Sequence, residues 1–369
     1  MYKIKQIQPW IDNKEANHIK RVVQRTFLTE DKETKKFENS IKKIFNSKYP
    51  IAISNWTNGI FCTLKALNIK KNDEVIVPNI TFIATINAVL MSGAKPVVCE
   101  VDEKNLSINL DHLKKIISKK TKVIMPVHLY GHCCEMNKLK TIIKNKKIHI
   151  IEDAAQAMGA KFDNKFLGTI GTFGGFSFYG NKIMTTGEGG VVLSNNKRLS
   201  KKIYSLKNHG RQTKGIFKHE EIGYNFMFTE MQAAIGNIQL LKLKKILKKK
   251  ERIFKLYKKN LKNINDIYFM ENHKKNIPVY WFTNIFTSKK KELINYLKIK
   301  GIQTREIFYP IHLQPCFKKS DIKIKFSKKY PISEKIYENG LSLPSSYNLS
   351  LKDQIYVIKK IKEFFKSKL

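Results

Sequence analysis

The sequence predicts an α/β protein: a large domain built on a mostly parallel sheet, then a small α+β domain at the C-terminal end. Three observations carry this. Between residues 51 and 193, short apolar runs rich in β-branched residues alternate with helical patterns, the signature of strands joined by crossover helices. From about residue 260 the alternation gives way to short strand-like runs at 267–269 and 280–286 and a helical stretch at 290–300. Between the two regions, 242–262 reads as one long lysine-rich helix with Leu243, Ile246, Leu247, Ile253 and Leu256 on one face. The expected division is 1–245 and 246–369, and 369 residues suffice for two such lobes.

Residues 1–48 read as a helical entry. Pro9 and Trp10 start a turn, a polar helix at 15–25 turns Ile19, Val22 and Val23 inward, and a second at 34–44 carries Phe37 and Ile41 at helical spacing. Residues 51–55 (IAISN) form a short buried strand. The polar loop 56–59 follows, and then a helix at 60–67. A strand, a small loop and a helix N-terminus make an anion-binding geometry, because first-turn N–H groups lack partners and the helix dipole points at the ligand. Residues 73–101 read as strand, loop, helix and strand, a βαβ unit that sets strands parallel. Residues 122–131 form another strand, with His128 a structural residue at its end. A helix at 136–145, the strand ending at Asp153, a turn at 163–165 and a strand at 190–193 complete the large sheet. Thr229 is placed to cap the helix that begins there. A strand at 301–308 and a helix at 351–366 close the small domain.

The net charge of +40 invites a nucleic-acid reading. Its composition argues otherwise: arginine occurs only at 21, 25, 198, 211, 252 and 305, and lysine is spread over the whole chain. Base readout and phosphate forks favour arginine, so nucleic acid is not the expected partner, although a basic surface would help attract a polyanionic substrate. Cys62, Cys99, Cys133, Cys134 and Cys316 match no zinc spacing and read as reduced thiols. No metal is expected. No apolar run reaches membrane-spanning length, and the first ten residues lack the apolar core of a signal peptide. The expectation is a cytoplasmic protein with no membrane partner.

The chemistry is concentrated between Ile148 and Gly190. One apolar run ends in the carboxylate of Asp153, the next delivers Ser177 and then Lys182, and a Gly-rich segment at 187–190 closes the unit. A carboxylate at one strand end and a lysine just past the next is what pyridoxal phosphate (PLP) requires. The amine forms a Schiff base with it, and the carboxylate keeps the pyridine nitrogen protonated so that the ring serves as an electron sink.

The runs EDAAQA (152–157), FSFYGNK (176–182) and TTGEGG (185–190) resemble motifs of the DegT/DnrJ/StrS family of PLP-dependent sugar aminotransferases. The likeness extends through DEVIVP, TFIAT and GAKPVV to GYNF and TEMQAAIGNIQL, nearly the whole chain. It implies fold type I, that of aspartate aminotransferase. Lys182 would be the catalytic lysine; relatives with histidine there run a dehydration instead. Asp153 would pair with the pyridine nitrogen, Gln156 would lie near the ring hydroxyl, and Phe82 would stack on the ring. Thr57, Asn58 and Ser177 would hold the phosphate. Trp56 stands where the family usually has glycine, and Met227 where it has arginine. Asn225 would reach the phosphate in the neighbouring subunit, so the resemblance implies a homodimer with shared sites. YWFTNIF (280–286) and TREIFYPIHLQP (304–315) resemble the GDP-perosamine synthase branch. That branch makes Arg305, Tyr309 and His312 candidate contacts to L-glutamate or to a GDP-linked 4-keto-6-deoxy sugar destined for a surface glycan. A UDP- or dTDP-linked keto sugar or a small keto-phosphate is the alternative substrate. A non-catalytic regulatory or nucleic-acid-binding protein on the same fold is the alternative of a different class.

Overall fold

The computed structural model describes residues 2–213, 215–318 and 323–366. Helices α1 (Asn13–Gln24) and α2 (Lys32–Phe45) open the chain. The large sheet takes β1 (Ile51–Ile53), β2 (Glu74–Pro78), β3 (Lys95–Cys99), β4 (Thr121–Ile124) and β5 (His149–Asp153). Two short strands, β6 (Lys161–Phe162) and β7 (Lys165–Phe166), form the turn expected at 163–165. The large sheet then resumes with β8 (Phe173–Ser177) and β9 (Gly190–Leu193). The helices between these strands are α3 (Trp56–Ala66), α4 (Ala84–Met91), α5 (Leu110–Ile116) and α6 (Met136–Ile142), with α7 (Lys197–Lys207) after β9. The strand order is β1-β9-β8-β5-β4-β2-β3. The pairs from β8 through β3 are parallel, and β9 is antiparallel to both β8 and β1.

Alternation along these strands builds two apolar layers. Ala52, Ile76, Ile124 and Ile150 face one core, whereas Ile53, Val75, Val77, Val123 and Ile151 face the other. A parallel sheet covered on both faces reads as an unbroken apolar run, which is why these segments are legible as strands.

The long helix α8 (Glu230–Leu261) is capped by a reciprocal pair, Thr229 and Gln232. Its first residue serves a second helix. The buried Glu230 carboxylate accepts the N–H groups of Asp31, Glu33 and Thr34 and so caps α2, whose own Asp31 makes no side-chain cap. At Gly236 a Cβ would fall 2.7 Å from the Phe37 ring, so α2 and α8 approach as closely as they do only with glycine there.

The second sheet is antiparallel, in the order β10 (Tyr268–Phe269), β12 (Thr283–Phe286), β14 (Gly340–Leu343), β13 (Arg305–Glu306). β11 (Asn276–Ile277) pairs instead with β6. Helices α9 (Lys290–Ile299), α10 (Pro315–Lys318), α11 (Pro331–Asn339) and α12 (Leu351–Lys366) complete the chain. A third apolar cluster joins this sheet to α9, α12 and the far half of α8. The division expected at 245/246 falls inside α8, which runs unbroken. The chain start is also shared: Ile4 bridges Ile302, and the N–H of Lys3 donates to Gly301. Of the strand expected at 301–308, Arg305 and Glu306 pair with β14 and Ile302 makes a single bridge to Ile4.

Candidate active site

The functional side chains gather at the carboxyl ends of β2, β5 and β8, where loops of an α/β sheet leave a crevice. They line a cleft of about 570 Å³ that includes Thr57, Asn58, Phe82, Asp153, Gln156, Ser177, Lys182 and Arg305. A larger, open cleft of about 980 Å³ lies elsewhere and is lined by Lys65, Arg198, Lys201 and their neighbours. It holds no part of this constellation.

Strand alternation separates two adjacent carboxylates. Glu152 points away from the cleft and is fully buried. It pairs with His128 Nε2 at 2.8 Å and accepts the N–H groups of Gly168, Ile170 and Gly171. It ties down the connection into β8. His128 is the structural residue the sequence suggests. Asp153, the last residue of β5, faces the cleft floor and is 5% exposed. Its Oδ1 accepts the Trp56 indole N–H at 2.9 Å and the Ala155 N–H at 3.2 Å. Its Oδ2 accepts the Thr85 hydroxyl at 2.7 Å, and Thr85 is paired with Thr81.

Lys182 lies beyond β8, in a loop held by the Trp281 indole N–H donating to the Asn181 carbonyl at 2.6 Å. Its ammonium stands 4.3 Å from the Trp281 ring centroid, a cation–π distance. Burial lowers its pKa to about 8; the nearby Arg305 adds to that shift, and Asp153 opposes it. Gln156 is buried and accepts the Tyr130 N–H through Oε1 at 2.8 Å. Phe82 is 53% exposed at the cleft rim, with its ring 5.9 Å from that of Phe308.

The sequence places a loop at 56–59, but the structure begins α3 at Trp56. Asn55 is the reason: its side chain accepts the Asn58 N–H and caps the helix four residues early. The first turn, with Thr57 and Asn58, therefore faces the cleft itself. Asn58 also donates from its side chain to Ser54.

The residues fit PLP. A helix N-terminus stands ready for the phosphate, an exposed aromatic face for the ring, a buried carboxylate for its nitrogen, and an amine of lowered basicity for its carbonyl. Of the other candidates, Arg305 lines the cleft, whereas Tyr309 and His312 lie outside it. Tyr309 packs edge-on against Tyr337. His312 has Nδ1 2.8 Å from the Asn79 amide and Nε2 3.1 Å from Glu334. Asn225 is exposed and bridges Asn208, outside the cleft of its own chain. Sequence reasoning missed Thr85 and Trp281. Trp56 was visible only as a departure from the family glycine.

The chain belongs to the DegT/DnrJ/EryC1/StrS aminotransferase family, whose model matches residues 9–362. It is 35% identical over 365 residues to a GDP-perosamine synthase of Escherichia coli O157:H7, covering 98% of each chain. It is 32% identical to the GDP-perosamine synthase of Vibrio cholerae, covering 92% of each. Among solved structures, S. venezuelae DesV in complex with a ketimine intermediate superposes with a TM-score of 0.91 at 29% identity, covering 96% of this chain and 94% of that one. The protein is thus a PLP-dependent enzyme of fold type I. Among the described residues no helix is long and apolar enough to cross a membrane, and no three His, Cys, Asp or Glu side chains group as a metal site. Cys62, Cys99, Cys133, Cys134 and Cys316 are all free thiols, and only Cys316 is exposed.

Proposed function

We propose that this enzyme moves an amino group from L-glutamate to the C4 keto group of a GDP-linked 4-keto-6-deoxy sugar, in the cytoplasm, for a surface glycan. The observation that carries the chemistry is Lys182 facing the same cleft as the buried Asp153 carboxylate. Near-full-length identity to GDP-perosamine synthases supports the sugar.

Bound PLP supplies the electron sink that makes a proton on the amine-bearing carbon removable. Lys182 would take that proton at Nζ and return it to the cofactor carbon on the far side of the amine nitrogen, two bonds away. With a pKa of about 8, a useful fraction of its amine is neutral near pH 7.5, as general base catalysis requires. Asp153 holds the pyridine nitrogen in its protonated form, Thr57, Asn58 and Ser177 hold the phosphate, and Phe82 covers one ring face. Gln156, fixed by Tyr130, stands at the hydroxyl side. Arg305 grips the glutamate carboxylate or the sugar diphosphate; Tyr309 reaches the nucleotide sugar from beyond the cleft, and His312 acts behind it through Asn79 and Glu334.

The working unit is a homodimer in which Asn225 completes the partner's phosphate site. The exposed side chains of Ile216, Phe217 and Ile222, a few residues before it in the chain, support this, because a monomer would leave them in water. The test is to load the protein with PLP, add glutamate, and then add GDP-4-keto-6-deoxymannose or the UDP- and dTDP-linked keto sugars. The visible band of lysine-bound cofactor should be bleached by glutamate and restored by the GDP sugar alone, with the aminated sugar seen by mass spectrometry. Restoration only by a different keto compound would overturn the substrate, and no bleaching by glutamate would overturn the donor.

A further inference from the structure

Trp56 fills a slot that the rest of the sequence leaves open for it. The residue is 4% exposed at the start of α3, with its ring against β8 and its backbone against β9. A Cβ on Gly175 would fall 2.0 Å from Cζ3 and 2.4 Å from Cη2 of the indole, and one on Gly59 would fall 2.6 Å from Cε3. A Cβ on Gly190 would meet the Trp56 backbone N at 2.7 Å. Gly175 is also the residue of β8 that stands directly opposite Asp153 in register. The missing side chains therefore bring the indole to the flank of the carboxylate, and Nε1–H donates to Oδ1 at 2.9 Å. On the other side Thr85, from α4, donates to Oδ2 at 2.7 Å. With the Ala155 N–H, which also reaches Oδ1 at 3.2 Å, these donors from two helices and one loop fix the plane of the group and leave a lone pair free on Oδ2.

We propose that Trp56 is a positioning residue: its indole N–H sets the plane of the Asp153 carboxylate so that a free lone pair faces the ring nitrogen of bound PLP, and its ring shuts water out from behind that carboxylate. The inference rests on the role given to Asp153 above. Oriented, charge-assisted hydrogen bonds are strong and directional, and support of this kind is what holds a functional group within the narrow limits that binding needs.

The rival account is that Trp56 only fills space. A double-mutant cycle on PLP affinity separates the two. Apo protein is titrated with PLP in four forms: unaltered, W56F, D153N and the double variant. Trp56→Phe keeps an aromatic ring and removes the donor. It should weaken PLP binding roughly tenfold in the unaltered protein and less than twofold in the D153N background. An equal loss in both backgrounds would leave Trp56 a filler and overturn the proposal. No loss of affinity in D153N alone would instead overturn the role of Asp153, so the two failures are distinguishable.

Should W56F not fold, the indole itself gives the answer. Trp10, Trp56 and Trp281 are the only tryptophans, so nitrogen-15 labelling of tryptophan gives three indole N–H signals, assigned with W10F and W281F. D153N should move the Trp56 signal in the apo protein. A Trp56 signal indifferent to D153N would overturn the hydrogen bond on which the proposal stands.

Discussion

The two sides of the cleft are built differently. On the cofactor side, Asp153, Gln156 and Thr85 are buried, belong to or follow central elements of the sheet, and make hydrogen bonds of 2.7–2.9 Å to neighbours distant in sequence. On the substrate side, Arg305 is exposed on a two-residue strand, and Tyr309 and His312 point at Tyr337 and Glu334 rather than into the cleft. The first side is set by the packing of one chain. The second lies at the periphery, on a two-residue strand and on side chains held by neighbours outside the cleft. Preorganisation therefore belongs to the chemistry, and adaptability to recognition.

The largest effects should come from the preorganised side. Lys182→Ala is expected to lower kcat by roughly 10⁴-fold or more while PLP still binds, because the proton-transfer group is gone. Turnover kept within tenfold would remove the lysine from its role. Asp153→Asn should cost roughly 10²-fold in kcat, the scale for one preorganised charge at a reacting group. In apo protein the rate of PLP capture should rise with pH through an inflection near 8, because the neutral amine is the nucleophile and burial lowers the Lys182 pKa to about 8. An inflection above 10 would mean that Lys182 behaves as an ordinary surface lysine.

What the sequence made legible follows the same line. Asp153 and Lys182 are readable because each closes or follows a buried apolar run, and run and Gly-rich turn are local patterns. The order of the large-sheet strands follows from βαβ chirality and twist only in part; β9 returns antiparallel, which no local pattern announces. The hydrogen bond from Trp56 to Asp153 joins residues 97 positions apart, and Trp281 looks like any buried aromatic until the fold sets it beside Lys182. The early start of α3 was hidden because Asn55 reads equally well as a loop residue or a cap. The small-domain strands were blurred for another reason: β10, β11 and β13 are two residues each, too short to show alternation.

Intermediate effects should sharpen the contrast on the substrate side. Arg305→Ala is expected to raise the KM of substrate by roughly tenfold to a hundredfold with a smaller change in kcat, as loss of a charged grip that binds ground and transition states alike. His312→Ala should do the reverse. It leaves the buried Asn79 Nδ2 without the imidazole, while Oδ1 keeps the backbone N–H of residue 312, and is expected to cost about 1–2 kcal/mol of stability, with KM for the sugar within about twofold. A tenfold rise in that KM, with stability unchanged, would place His312 on the substrate after all.

The seam between the sides is tested through stability rather than turnover. Lys250 lies buried in α8 and donates to the carbonyls of Trp281 and Ser345, so it holds the segment whose ring faces Lys182. Burial lowers its pKa to about 7. Between pH 7 and the ordinary lysine range near 10, the unfolded chain carries a proton on this group that the folded chain has lost. Stability from this group therefore rises with pH across that window, and the cost of burying the charge is fully present only below pH 7. Lys250→Met removes the titration and keeps an unbranched apolar stem. The difference in unfolding free energy between the native protein and the variant should therefore shift in favour of the native protein as pH goes from 7 to 10, measured by urea denaturation at each pH. A difference that stays flat would mean that Lys250 remains charged between its two carbonyls. The seam would then be held by a buried ammonium, and Trp281 would be fixed more rigidly than the cofactor side requires.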